Sequence, residues 1–279
     1  MSLQDFIIQT SKFISKSGIN ILYPIEDSTK LSCLNDTTKL VDLCFVDSFS
    51  QNQSISDNFL LQSIVMFSLL DVYIDKTFTN LEGKSFKKKY DNLPVCTNED
   101  IILKNIFRIF KTLRNAIVHN VSSANINSGN IQVTYSFNKT SFLLNCDSKC
   151  ISYLHTIIYM ITNNLSVSYR EKTYINTFYN LLVNNVTLND EISKNLDFLQ
   201  NSFIFTSINR FEVLLEDNFF DLDNNNIVTF KNDYLKGKNN CPGFNADLFI
   251  TLHGIKYVIP EEALVNNTIS TIEIENWKI

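Results

Sequence analysis

The stretch that most constrains this chain is residues 57–79, DNFLLQSIVMFSLLDVYIDKTFT, which repeats apolar residues at helical spacing on nearly every side. A helix of that kind is a buried one and has to be wrapped by other elements. Asp71 and Asp75 fall inside it, and no apolar run in the chain approaches the ~18–20 uncharged residues that a bilayer requires, so no membrane span is expected. The consequence is a globular core that buries this helix, with Asp71 as a carboxylate in need of a partner and Asp75 one turn later as the alternative.

A second helix is well punctuated. Pro94 precedes it, Thr97 is its candidate N-cap, and Asp100 three residues on completes a weak capping box. The pattern then runs through ILKNIFRIFKTLRNAIVH to Asn120. At about 100° per residue, Ile106, Phe110, Leu113 and Ile117 gather on a core side, while Arg114, Asn115 and His119 share a polar face. Asn115 and His119 are i,i+4 neighbours in contact range. Arg108 and Lys111 fall on the same polar face, and Phe107 and Val118 interrupt it with apolar groups, which points to a partner surface. Residues 84–114 carry eight basic side chains against three acids, although the whole chain has a net charge of −5. The lysine cluster Lys84, Lys87, Lys88 and Lys89 is read as solvated surface, and the helix end as a local positive site suited to a phosphate chain.

The spacing Arg114-Asn115-x3-His119 resembles the R-x(4–6)-H motif of ribonucleases of the HEPN superfamily. The resemblance extends over the helix pattern of roughly residues 1–186. It implies a mainly α fold, a helical bundle whose motif ends one helix, with two protomers bringing their motifs together. It also implies that an acid on the preceding long helix, here Asp71, pairs with the motif arginine. On this reading residues 1–190 form a HEPN-like helical domain with a β-hairpin inserted at about 130–146, and residues 191–279 form a smaller β-rich α+β domain of unassigned role.

The other segments are less decisive. Residues 4–16 have helical spacing with Gly18 as the stop, Asn20–Pro24 is a short extended piece, and Thr38–Asp47 is given another helical turn or two. After Gly129, IQVTYSF and SFLLNC flank Asn138-Lys139-Thr140 as a hairpin. Residues 147–164 and 168–186 return to helical periodicity, with Asp147 and Ser148 as candidate N-caps. His155 lies among apolar residues and reads as a packed histidine. Helical pattern persists through Glu191–Asn201, after which short strands take over, with His253-Gly254 as a two-residue turn. Asp221-x-Asp223-x-Asn225 opens like a calcium loop, but Asn226 stands where glycine is needed and Asn232 where glutamate is needed. Cys146-x3-Cys150 lacks a second ligand pair, so no zinc site is expected. From the six scattered cysteines and a start without a secretory leader pattern, a reducing cytoplasm is the expected compartment.

The function expected from this reading is a metal-independent endoribonuclease of toxin or phage-defence type, acting on single-stranded RNA without a cofactor. RNA supplies its own nucleophile, the 2′-hydroxyl. His119 would move the proton, Arg114 would hold the phosphate and Asn115 would orient either of them. Lys111, Arg108 and Asp71 are the supporting residues. The family implies a 2′,3′-cyclic phosphate product, a homodimer through the motif helices and an antitoxin protein as a further partner. The alternative is a HEPN module that binds a nucleotide or a protein without catalysis, or a chain that inhibits a partner through its C-terminal sheet.

Overall fold

The computed structural model describes residues 2–14, 17, 19, 21–32, 38–48, 59–119, 124–127, 129–165, 168–231 and 243–279. Gly18, Asn20, Asn120, Ser122, Ser123 and Asn232 lie outside the described residues. The helices are α1 (Leu3–Ile14), α2 (Phe59–Thr77), α3 (Phe86–Asn92), α4 (Asn98–His119), α5 (Ser148–Thr162), α6 (Tyr169–Asn185) and α7 (Thr271–Ile274). The strands are β1 (Leu22–Ser32), β2 (Thr38–Ser48), β3 (Ala124–Asn127), β4 (Asn130–Phe137), β5 (Thr140–Asp147), β6 (Thr187–Asn189), β7 (Arg210–Leu214), β8 (Phe220–Leu222), β9 (Ile227–Phe230), β10 (Asn245–Leu252), β11 (Ile255–Pro260) and β12 (Thr268–Ser270). Two compact units emerge: Met1–Leu22 with Ser48–Val167 and Ile175–Ile204, and Tyr23–Asp47 with Ser168–Tyr174 and Phe205–Ile279.

The first unit is built on α2 and α4. Met66, Leu69, Leu70 and Ile74 of α2 are fully buried, as are Ile102, Ile106, Phe107, Phe110 and Leu113 of α4. Each such side chain contributes about 1.5–3 kcal/mol relative to exposure. Phe107 is wedged between Phe67, at a centroid distance of 6.0 Å, and Phe86, at 4.6 Å. The expected capping box is present: the Asp100 N–H donates to Thr97 Oγ1 at 3.1 Å, and the Thr97 N–H to Asp100 Oδ2 at 3.0 Å. Asp147 caps α5 by accepting from the Cys150 N–H at 2.9 Å. The antiparallel sheet β3-β4-β5-β6 completes this unit. Its central hairpin keeps register from Asn130↔Asp147 to Phe137↔Thr140. Asn138 and Lys139 make its turn, with φ of 47° and 65°. This is the primed geometry that matches the twist of paired strands.

The second unit holds the five-stranded sheet β1-β2-β7-β10-β11 and the three-stranded sheet β12-β9-β8. Here β7 pairs with β2 antiparallel and with β10 parallel, so strands distant in the chain become neighbours. β10 and β11 form the hairpin around His253-Gly254, in register from Asp247↔Pro260 to Leu252↔Ile255. A buried ionic network ties its elements together. Arg210, with none of its side chain exposed, contacts Asp247 at 2.7 Å and Glu262 at 2.6 Å, and Arg170 contacts Asp247 at 2.9 Å and Glu212 at 2.8 Å.

Three expectations are corrected. The fold is α+β, with three sheets among the described residues, not a mainly α HEPN-like bundle with a hairpin insertion and a smaller β-rich C-terminal region. Thr38–Asp47 is a strand, because Val41, Asp42, Leu43 and Cys44 find partners on β7, some 170 residues later. Glu191–Asn201 is irregular rather than helical. There the backbone is claimed by side chains: the Ile192 N–H donates to Asp190 Oδ1 at 3.0 Å, and Arg108 donates to the Lys194 carbonyl at 2.6 Å. No described helix is long and apolar enough to cross a membrane.

Candidate active site

Burial along α4 divides its polar face into two parts. As far as Leu113 the helix is covered on almost all sides, and Asn105, Arg108 and Thr112 are as buried as the apolar residues. Beyond it the last turn opens to solvent, where Val118 is 47% exposed and His119 is also exposed. The proposed site residues therefore separate.

Arg114, Asn115 and His119 come together. Arg114 Nη1 donates to Asn115 Oδ1 at 3.1 Å and lies 3.3 Å from His119 Nε2. A guanidinium can only donate, so Nε2 is the acceptor in this arrangement and a neutral ring carries its proton on Nδ1. Both hydrogens of Nη1 are thus engaged within the cluster. The Nε–Nη2 edge, the side-on fork that matches two oxygens of an anion, has no hydrogen-bond partner among the described residues. Arg114 also makes no ion pair among the described residues.

The hairpin supplies a residue that the sequence reading missed. Tyr135 of β4 stacks on Phe142 at a centroid distance of 4.6 Å, and its hydroxyl lies beside the Asn115 side chain. That hydroxyl is buried and makes no well-aligned hydrogen bond. Burial pushes it up to about 12, with the Asn115 side chain acting in the opposite direction. Period-two alternation over QVTYSF was the available signal, since it puts Val133, Tyr135 and Phe137 on one face.

The supporting residues are occupied elsewhere. Arg108 forms a bidentate pair with Asp190, Nε to Oδ2 and Nη2 to Oδ1, both at 2.7 Å, with side-chain exposures of 1% and 0%. Burial alone would lower the Arg108 pKa, but the Asp190 hydrogen bonds and charge outweigh it, and the net shift is upward. Lys111 is ion-paired with Glu191, and its ammonium sits 4.7 Å from the Phe86 ring centroid. Asp71 is held by Lys89 at 2.7 Å, a lysine that also reaches Asp75 at 2.5 Å. Lys89, expected in solvent, is 2% exposed. Phe107, expected on an exposed face, is buried between Phe67 and Phe86. The eight-to-three excess of basic residues therefore leaves less open positive surface than its count implies.

The remaining motifs are structural. His155 is fully buried, with Nε2 at 3.3 Å from Ser63 Oγ and its ring stacked near Phe110. Burial lowers its pKa to about 3. The Asp223 carboxylate accepts the N–H groups of Asn225 and Ile227 at 2.8 and 2.9 Å, which makes the calcium-like segment the turn between β8 and β9. No group of three metal-ligating side chains occurs among the described residues. Cys146 and Cys150 are buried free thiols side by side, and their mutual contact together with burial raises the Cys150 pKa.

Comparison with known proteins gives no match: no family model fits the sequence, and no curated protein or solved structure is significantly similar to it.

Proposed function

We propose that this protein is a metal-independent endoribonuclease that cleaves single-stranded RNA by attack of the 2′-hydroxyl on the adjacent phosphate. The observation that carries this is the state of Arg114: one nitrogen joins Asn115 and His119, and the opposite edge has no hydrogen-bond partner among the described residues. A guanidinium fork beside an imidazole is the minimum needed to hold a phosphodiester and move a proton next to it. The reading rests on this cluster and not on a bundle fold.

The chemistry follows from the donors and acceptors. A phosphate anion is a stronger acceptor for guanidinium than a neutral imidazole is, so substrate draws Arg114 toward itself and frees His119 Nε2. Nε2 then takes the 2′-hydroxyl proton, the 2′-oxygen bonds to phosphorus, and the bond from phosphorus to the 5′-oxygen breaks. The leaving oxygen takes up a proton from water, His119 returns its proton to solvent, and a 2′,3′-cyclic phosphate remains. Arg114 offsets the charge on the non-bridging oxygens, and Asn115 holds the guanidinium in place. A second copy of the chain, docked through exposed Val118, would bring another His119 to the leaving-group side, the isologous arrangement of a two-fold dimer.

The test is cleavage of single-stranded RNA in EDTA beside DNA of the same sequence. Cutting of RNA alone is expected, with a cyclic phosphate end, and His119→Ala should slow it by about 10²–10⁴-fold without unfolding the protein. Equal cutting of DNA, loss of cutting in chelator, or a fully active His119→Ala variant would overturn the assignment. RNA that is bound but left intact would assign the site to a non-catalytic module.

A further inference from the structure

We propose that the tip of the β4–β5 hairpin is the seat for the nucleotide next to the scissile phosphate, with an unpaired base stacked on Phe137 and a phosphate met by Lys139. This rests on the ribonuclease reading and specifies the substrate it takes: a single strand with an accessible base beside the cut.

Phe137 lies two residues after Tyr135 on the same face of β4, about 7 Å further along at the rise of a β-strand. Tyr135 is the residue whose hydroxyl lies beside Asn115, and Asn115 is held by Arg114, so Phe137 is the next residue on the strand face that meets this cluster. Tyr135 is covered by its stack on Phe142, whereas Phe137 is 64% exposed. Its cross-strand partner Thr140 is too small to cover the ring. An aromatic in that position adds little to the core, and its open face suits a base whatever its identity.

A two-residue turn with both residues at positive φ is ordinarily Asn-Gly, and here it is Asn138-Lys139 with Lys139 at φ 65°. A lysine in the left-handed region is strained where glycine would not be. The strained residue is an exposed cation that forms no ion pair among the described residues. Lys139 follows Phe137 by two residues, and Arg114 lies in the cluster beside which the Tyr135 hydroxyl sits, so two cations belong to the same hairpin and helix as the exposed ring. An extended polyanion with stackable bases complements that arrangement; a folded acidic protein surface has no reason to prefer the ring.

The experiment uses the full chain and a 2′-O-methyl RNA strand, which lacks the nucleophile and stays intact, beside the same strand carrying one abasic site. The Phe137→Trp variant should be quenched by the first strand and much less by the second, with the unchanged protein correcting for Trp277. Phe137→Ala should raise KM on cleavable RNA by roughly 5- to 100-fold, the worth of one base stack, and leave kcat within about threefold, while Phe137→Tyr retains KM. Lys139→Ala should reduce the logarithmic salt dependence of binding by about 0.7, one phosphate contact on a single strand. If the wild type binds and cuts RNA while Phe137→Ala is unchanged, the hairpin seat is wrong and the ribonuclease reading stands. If the wild type neither binds nor cuts RNA, both fall.

Discussion

Arg108 and Arg114 sit six residues apart on one helix, and the structure gives them opposite roles that a stability measurement separates. In Arg108→Met the side-chain length is roughly kept while Asp190, 0% exposed, loses both guanidinium bonds and the Lys194 carbonyl loses its donor. Among the described residues, the Ile192 N–H then remains on that carboxylate. Removing one partner of a buried pair costs about 3–5 kcal/mol, because the survivor is left as an uncompensated charge in a poorly solvating site. For a chain of this size that corresponds to a fall in Tm of roughly 6–20 °C. Replacing both members with apolar residues, Arg108→Met with Asp190→Leu, should recover most of the loss, since the attraction and the desolvation penalty disappear together. Arg114→Ala, at a half-buried position near the helix end with no ion pair among the described residues, should shift stability by about 0.5 kcal/mol or less. Urea unfolding followed by the helical circular dichroism signal, which reports mainly on the α2–α4–α5 unit, reads all three variants. An Arg108→Met variant within about 1 kcal/mol of wild type that has also lost RNA binding would make Arg108 a phosphate ligand and refute the buried-pair account.

The burial of His155 predicts a pH dependence: its folded pKa lies near 3, below the ordinary 6.5, so the unfolded chain binds a proton that the folded one refuses. The stability it supports is therefore complete above about pH 6.5 and is lost as pH falls toward 3, at roughly 1.4 kcal/mol per pH unit, and a His155→Leu variant should lack this slope between pH 6.5 and 5 in urea titrations. In the second unit, Arg210→Met should cost about 3–5 kcal/mol, because Asp247 and Glu262 lose their shared cation, and a melting curve unchanged by the substitution would contradict the network. Asp71→Asn takes one of two carboxylates from Lys89 and touches nothing in the Arg114 cluster; stability should fall by about 1–3 kcal/mol with RNA cleavage unaltered, and a selective loss of cleavage would restore Asp71 as the partner of Arg114.

What the amino-acid order determined by itself is local. The all-round apolarity of 57–79, the Thr97/Asp100 box, the Asn138-Lys139 and His253-Gly254 turns, and the clustering of Arg114, Asn115 and His119 all depend on residues within a turn or two of one another. Side-chain period and backbone capping act over that range, and they were legible. Tertiary structure decided which charges remain available. Arg108, Lys111 and Lys89 are chemically as basic as Arg114, yet Asp190, Glu191, Asp71 and Asp75 neutralise them. Asp190 and Glu191 lie about 80 residues away from their partners, and no helical wheel can see them. The sheets obey the same rule: β2 is ambiguous in its own period and becomes a strand because β7 offers it a register. A charge or a strand is settled by what it meets across the core, where solvent is excluded and a partner outweighs propensity.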